Sequence, residues 1–324
     1  MKNKKILITG GLGMIGSTLT HKLIKLGAEV TIIDSLVKPF GGNFFNINDL
    51  KKLVTVNISD IRDKESMKVL IKDKDIVFNL AAQVSHNDSL QNPSLDADIN
   101  YIGHLNVLEA ARNYNPAAKI IHAGSRLQFG KILKNPVSED HPLNPLTPYA
   151  LNKTAAENLY LYYNRVFNIP VVIFRIANPY GPRCQMQHSK YTIINWFIRN
   201  AMEDKEIIIY GNGEQIRDYI FVEDLADAFI LASDDENISN EVFNLGSGTG
   251  TRFKDMVQSV VETVGKGKIK FVPWPPGYLN IETGDYITDI SKIKQFLGWS
   301  PKINLDEGIS ITVDYYYKFK KYYW

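Results

Sequence analysis

Lys5-Ile-Leu-Ile-Thr-Gly10-Gly-Leu-Gly-Met-Ile-Gly16 is the stretch on which the reading of this chain turns. A short β-branched run passes straight into a glycine-rich turn. Residues 15–26 then carry apolar side chains at helical spacing. A glycine pattern alone says little, but one held between a strand and a helix has a physical meaning. Gly10 permits the tight turn, Gly13 lets backbone amides approach a pyrophosphate, and Gly16 lets the helix pack on the sheet. The helix N-terminus then faces the phosphates with its unpaired N–H groups. Gly10, Gly11, Gly13, Met14, Ile15 and Gly16 are therefore the expected cofactor contacts.

Outward from that turn, short β-branched runs at 5–9, 30–34, 53–57, 76–79, 120–123 and 171–175 alternate with helical segments at 15–26, 96–112 and 149–166. Such alternation predicts an α/β fold, a doubly wound parallel sheet of Rossmann type with helices on both faces. From about Asn178 the pattern loosens into prolines and glycines, and residues 242–245 read as a strand that rejoins the sheet. We expect a dinucleotide-binding domain over 1–177, with 220–248 rejoining it. A smaller mixed α/β substrate domain takes 178–219 and 249–324. The aromatic, basic tail at 315–324 reads as the end of the last amphipathic helix with a frayed tip.

Asp34 closes the second strand. A carboxylate there accepts hydrogen bonds from ribose hydroxyls and repels a 2′-phosphate, so NAD is favoured over NADP. Asp60 and Ile61, after the third strand, read either as an adenine contact or as a loop cap.

Composition narrows the classes. With 324 residues, ordinary hydrophobic and charged fractions and a net charge of +2 spread along the length, there is no electrostatic case for nucleic acid. The single cysteine, Cys184, excludes an internal disulfide and reads as an ordinary thiol. No apolar run is long enough to span a bilayer. The N-terminal stretch superficially resembles a signal peptide, but its glycines have the better explanation above and none is expected. The expectation is a cytoplasmic protein with no membrane partner. The histidines show no metal-ligand spacing, so no metal is expected.

Tyr149 and Lys153 lie four residues apart in Thr147-Pro-Tyr-Ala-Leu-Asn-Lys153, a helix start by its proline and alanines. That spacing puts phenol and ammonium on one face. A free tyrosine titrates near pH ~10, and a nearby cation lowers that value toward a working base.

With the glycine turn, Asn79-Leu-Ala-Ala82, Ser125 after the fifth strand, and Tyr149 with Lys153 in order, the chain resembles an extended short-chain dehydrogenase/reductase. More narrowly it resembles the nucleotide-sugar epimerase/dehydratase family. Arg175-Ile-Ala-Asn178-Pro-Tyr-Gly-Pro182, Gly211-Asn-Gly-Glu-Gln-Ile-Arg217-Asp-Tyr, Val222-Glu-Asp224-Leu-Ala and Leu297-Gly-Trp299-Ser-Pro301 agree with it. The resemblance implies that Ser125 and Tyr149 hydrogen-bond the sugar hydroxyl being oxidised and that Tyr149 takes its proton. Lys153 then holds the nicotinamide ribose and lowers the tyrosine pKa. Leu80, Ala81 and Ala82 join the cofactor contacts.

The same resemblance implies that Asn178 and Arg217 contact the nucleotide diphosphate and that Asn100 gives structural support. Gln83, Ser85 and His86 are candidates for the sugar pocket, His86 more readily as a loop hydrogen-bonder than as a catalyst. Arg126 reads equally as a substrate contact or as a solvent-facing or paired arginine.

Two departures from the family pattern matter. Where its 4,6-dehydratases carry Thr-Asp-Glu, this chain has Ser125-Arg126-Leu127, which leaves water elimination without its acid and base. Glu282 stands where many relatives place an arginine on the diphosphate. It is expected to pair with a cation or bind a sugar hydroxyl. The implied activity is an NAD-dependent epimerase of a nucleoside-diphosphate hexose, working by transient oxidation at C4. The alternative is a nucleotide-sugar dehydrogenase or 4-keto-sugar reductase in deoxy-sugar or surface polysaccharide biosynthesis. A regulatory NAD-binding protein on the same fold is disfavoured, since Ser125, Tyr149 and Lys153 are all present. By analogy a homodimer is implied, the helices near Asp96 and Tyr149 forming a four-helix bundle through Ile102, Leu105, Leu108, Leu159 and Tyr163.

Overall fold

The computed structural model describes residues 1–37 and 41–324. Its strands are β1 (Lys5–Thr9), β2 (Glu29–Asp34), β3 (Val54–Ile58), β4 (Ile76–Asn79), β5 (Lys119–Ser125), β6 (Val171–Ile176), β7 (Asn178–Tyr180), β8 (Glu206–Tyr210), β9 (Ile216–Phe221), β10 (Glu241–Leu245), β11 (Gly250–Arg252) and β12 (Lys268–Val272). Its helices are α1 (Met14–Lys25), α2 (Lys64–Leu70), α3 (His86–Gln91), α4 (Pro93–Ala97), α5 (His104–Tyr114), α6 (Pro148–Phe167), α7 (Ile193–Met202), α8 (Val222–Asp234), α9 (Phe253–Val264), α10 (Ser291–Leu297) and α11 (Leu305–Phe319).

Among the described residues seven parallel strands form one sheet in the order β10-β6-β5-β4-β1-β2-β3. β4, β5 and β6 are buried along their whole length, as strands covered on both faces must be. One apolar core, including Ile6, Ile8, Phe174 and Phe229, fills one face under α1 and α8. A second, including Leu7, Val77, Leu108 and Tyr160, fills the other under α5 and α6. The strand order reverses between β1 and β4, so a crevice opens beyond their carboxyl ends.

A third core, around Phe197, Ile209, Met256 and Val260, joins α7, α9 and α11 to the paired strands β8 and β12. The small sheet β11-β9-β7 connects this region to the large one. It leaves β6 almost at once, because β7 starts two residues after β6 ends.

Two sequence expectations need correction. The helix expected over 96–112 is broken: α4 passes into a π-helical turn over Asp98–Gly103 before α5. Asn100 in that turn is drawn inward, its Nδ2 donating to the Gln83 carbonyl at 2.8 Å and to Asp96 Oδ2 at 3.0 Å. The tail is not frayed. Phe45 stacks on Tyr322 with ring centroids 3.7 Å apart, and Tyr323 is buried with its hydroxyl donating to Asn46 Oδ1 at 2.5 Å. The aromatic side chains thus bury apolar area against the segment that follows β2. No described helix is long and apolar enough to cross a membrane.

Candidate active site

A continuous cleft of about 900 Å³ runs from the glycine turn to the region around β8 and Tyr278. Its floor at one end is backbone. Gly10 sits at φ +67°, and a Cβ there would lie 3.0 Å from the Ala81 nitrogen. A Cβ on Gly16 would lie 2.5 Å from the Gly10 oxygen and 2.6 Å from Gly11 Cα. Gly13 is the N-cap of α1 and offers no side chain to satisfy the first-turn amides. Those N–H groups are left for an anionic ligand.

Asp34 links this turn to the cleft. Its Oδ2 accepts from Leu12 N and its Oδ1 from Leu36 N, both at 3.0 Å. Burial raises its pKa, opposed by those two amides. The carboxylate borders the cleft, as do Gly10, Gly13, Met14, Ile15, Gly16, Asp60, Ile61, Leu80, Ala81 and Ala82. Thr9 holds the opposite lip, its Oγ1 accepting from Leu80 N and Ala81 N at 3.0 Å each. Gly11 differs from the expectation. It does not border the cleft; a Cβ there would run 2.6 Å from Ile32, so it serves packing on β2. Asp60 is clamped by Arg62, with Nε to Oδ1 at 2.9 Å and Nη2 to Oδ2 at 2.7 Å.

Midway along the cleft, Ser125 ends β5 and caps the short turn Arg126–Phe129. Its N–H donates to Gln128 Oε1 at 2.8 Å, its hydroxyl accepts from Leu127 N at 3.2 Å, and it lies near enough to the Tyr149 phenol to act on its titration. Gln128 Nε2 donates to Glu157 Oε2 at 2.7 Å, and Glu157 holds Arg175 through both oxygens, at 2.6 and 3.0 Å. A buried ion pair thus stands behind the serine. Thr147 caps α6 and Pro148 occupies its first turn, which brings Tyr149 and Lys153 onto the inward face.

The expected lowering of the tyrosine pKa does not hold here. Burial pushes the Tyr149 phenol up to about 12, against the Ser125 hydrogen bond. Lys153 turns toward β5, with Nζ donating to the Ala123 carbonyl at 2.9 Å, and burial pulls it down to about 8, against the charge of Asp96. Asp96 was not visible as a site residue in the sequence. It is buried and holds the amides of Asn152, Asn100 and Gln83 at 2.8, 3.0 and 3.0 Å. No local pattern marks it, because its partners come from three segments.

Gln83 and Ser85 do not border the cleft, contrary to expectation. Gln83 is tied to Asp96 and to the Ser85 carbonyl, and the Ser85 hydroxyl caps α3 by accepting from Asp88 N at 3.1 Å. His86, the first residue of α3, does border it, and burial with the nearby Arg126 charge lowers its pKa.

The far wall gathers Arg126, Asn178, Arg217 and Glu282. Arg126 Nε donates to Asn178 Oδ1 at 3.2 Å and its Nη1 to Thr283 Oγ1 at 3.1 Å. Arg217 Nη2 donates to Glu282 Oε1 at 2.5 Å. Glu282 therefore takes the cationic partner expected for it. Tyr210, Trp274 and Tyr278 cluster at this end, with ring centroids 5.5 to 5.9 Å apart. Sequence reading missed these aromatics, which only the fold brings together. Burial raises the Cys184 thiol to about 11. Among the described residues no group of three or more His, Cys, Asp or Glu side chains is placed to hold a metal.

The sequence model of the family described as GDP-mannose 4,6 dehydratase matches residues 7–312. This chain is a member of the extended short-chain dehydrogenase/reductase family of nucleotide-sugar epimerases and dehydratases. A Methanocaldococcus jannaschii relative, provisionally named a UDP-glucose 4-epimerase, is 36% identical over 312 residues, 96% of this chain and 97% of its own. The UDP-glucose 4-epimerase of Thermotoga maritima, solved with UDP-glucose, superposes with a TM-score of 0.88 at 33% identity, covering 97% of this chain and 99% of that one. The Thermus thermophilus enzyme of the same name, solved with NAD, gives 0.87 at 30% identity over 97% and 99%. Dehydratases and decarboxylases are also among the family members it resembles. NAD is the cofactor, and the glycine cradle with Asp34 fits it: a Cβ at Gly10 or Gly16 would collide with backbone, and Asp34 presents a carboxylate to the cleft.

Proposed function

We propose that this family member is a C4 epimerase of a nucleoside-diphosphate hexose. The observation that carries the reading is that Ser125, Tyr149 and Lys153 line one cleft together, with no carboxylate at positions 126 and 127. NAD, when bound, would supply reversible hydride exchange with the sugar carbon. Ser125 fixes the sugar hydroxyl by a hydrogen bond, and Tyr149 takes and later returns that hydroxyl's proton. With burial holding the phenol near 12, the tyrosine is protonated at neutral pH in the unliganded protein. Its use as a base therefore calls for added positive charge next to it, and in this reading that charge falls to Lys153, which borders the same cleft. Asn178 and Arg217 fall to the diphosphate, and Tyr210, Trp274 and Tyr278 supply ring faces for a base.

In this reading residues 1–177 with 220–248 hold the cofactor, and 178–219 with 249–324 cover the sugar. Elimination of water is disfavoured because Arg126 and Leu127 offer neither acid nor base. We also read the protein as a homodimer. Ile102, Leu151, Tyr162 and Val166 leave an exposed apolar strip beside α5 and along α6, whereas Leu108 and Tyr163 are spent inside the subunit. Sedimentation at low concentration tests that point.

Incubation with UDP-, GDP-, dTDP- and CDP-hexoses, followed by proton NMR, tests the activity. C4 inversion without net NADH supports it. Steady NADH accumulation would favour a dehydrogenase or keto-sugar reductase instead.

A further inference from the structure

Asn46 lies where four segments meet. It is 2% exposed, in the short turn Phe44–Ile47 that follows β2. Its Nδ2 donates to the Leu12 carbonyl at 2.8 Å and to the Arg183 carbonyl at 2.9 Å, which uses both amide hydrogens. Its backbone carbonyl lies 2.9 Å from His21 Nε2 on α1. The side-chain oxygen remains, and it accepts from the Tyr323 hydroxyl at 2.5 Å. Tyr323 is itself 2% exposed, and its hydroxyl lies 2.5 Å from that of Tyr315.

Leu12 is the residue between the second and third glycines of the cofactor turn. Its N–H donates to Asp34 Oδ2 at 3.0 Å, and its carbonyl accepts from Asn43 N at 3.0 Å as well as from Asn46. A peptide unit is planar, so holding that carbonyl also holds the Gly13 N–H, which donates to the Gly10 carbonyl at 3.2 Å. Gly13 caps α1, so this one peptide sets where the first-turn amides begin. Two consecutive tail residues grip both of the groups that hold it. The Tyr322 carbonyl accepts from Asn43 Nδ2 at 3.0 Å, and Tyr323 holds Asn46. An asparagine amide turned over here would point its oxygen at two carbonyl oxygens and hold neither. Tyr323 supplies the donor for Oδ1 in the orientation that holds the turn.

We propose that Tyr323 is a positioning residue for NAD: through Asn46 it keeps the glycine turn in the shape that receives the pyrophosphate. The inference goes beyond the epimerase reading and stands or falls apart from it, because it concerns the cofactor in any reaction of this cleft. Removing the hydroxyl leaves Oδ1 buried without a donor. The unliganded protein relieves that by rotating the amide and shifting the turn. A bound pyrophosphate forbids both, so the cost falls on cofactor binding.

The test uses full-length NAD-loaded protein, with release of bound NAD followed by exchange against labelled NAD. Tyr323→Phe is expected to speed release about fivefold to thirtyfold, the range of one donor withdrawn from a buried acceptor. Tyr317→Phe is the control. Its hydroxyl donates instead to the Val264 carbonyl on α9 at 3.3 Å, and release should stay at the wild-type rate. Asn46→Ala should speed release at least as much as Tyr323→Phe, and the double variant should add nothing beyond Asn46→Ala. Unchanged release from Tyr323→Phe overturns the proposal, and a fall in its thermal midpoint alone would make the hydroxyl purely structural. Equal acceleration by Tyr317→Phe also overturns it. So does full additivity of Asn46→Ala and Tyr323→Phe, which would cut the route through Asn46. Where Asn46→Ala does not fold, Tyr323→Phe against Tyr317→Phe still decides.

Discussion

The two ends of the cleft are built differently. The cofactor end is made of backbone: a glycine turn, helix-start amides and one carboxylate, all within residues 10–34. The far end, which we propose takes the sugar, is made of side chains brought from distant segments, with Arg126 meeting Asn178 and Thr283, and Arg217 meeting Glu282. A backbone site tolerates almost no added atom, and the local sequence declares it. A side-chain site can be retuned one residue at a time, and its pairings stay hidden until the chain folds.

The largest expected effect lies where the ends meet. Tyr149→Phe should lower kcat by roughly 10² to 10⁴, the usual range for a positioned proton-transfer group, with substrate binding retained. Rate measurement beside calorimetry checks both halves. A loss of binding equal to the loss of rate would make the tyrosine a structural group and blur the division.

Gly16→Ala probes the backbone end. The new Cβ would sit against the Gly10 oxygen and Gly11 Cα, neither of which can swing aside. A stability loss of about 1–3 kcal/mol is expected, as for other overpacked sites. Co-purifying NAD should fall with it. Thermal unfolding and release of bound nucleotide measure the two. Unchanged NAD content would show that the turn is looser than its contacts imply.

A smaller effect comes from Lys153, which borders both ends. In the folded protein burial lowers its pKa to about 8, whereas in the unfolded chain it keeps its ordinary value of 10.5. Between those values the unfolded chain holds more protons, so unfolding free energy climbs with pH. Below about pH 8 this contribution is flat and at its least favourable. Lys153→Met should flatten the climb in denaturant titrations of the unliganded protein across that interval. An unchanged slope would mean that the lysine is not desolvated.

These contrasts explain what could be read in advance. The parallel sheet, the strand at residues 242–245 and the glycine turn follow from β-branched runs and from backbone geometry, which neighbouring residues dictate. The break at Asp98–Gly103 does not, because it depends on Asn100 and Asp96 finding Gln83 from another segment. Ser125, Tyr149 and Lys153 were recognisable as a set, but Lys153's bond to Ala123 and the upward shift of the phenol come from burial, which spacing does not record. Gln83 and Ser85 were misplaced for the same reason: their chain neighbours line the cleft, yet their own side chains turn inward. The ordered tail depends on Phe45 and Asn46, nearly the whole chain away.

One labelling experiment bears most directly on the claim that a single carbon is oxidised and re-reduced without loss of water. A nucleotide sugar deuterated at C4 is turned over in unlabelled water, and the product is examined by mass spectrometry and NMR. The expected product is the C4 epimer with unchanged mass and its deuterium still at C4. A product lighter by one water, or deuterium recovered in free NADH, would contradict the account.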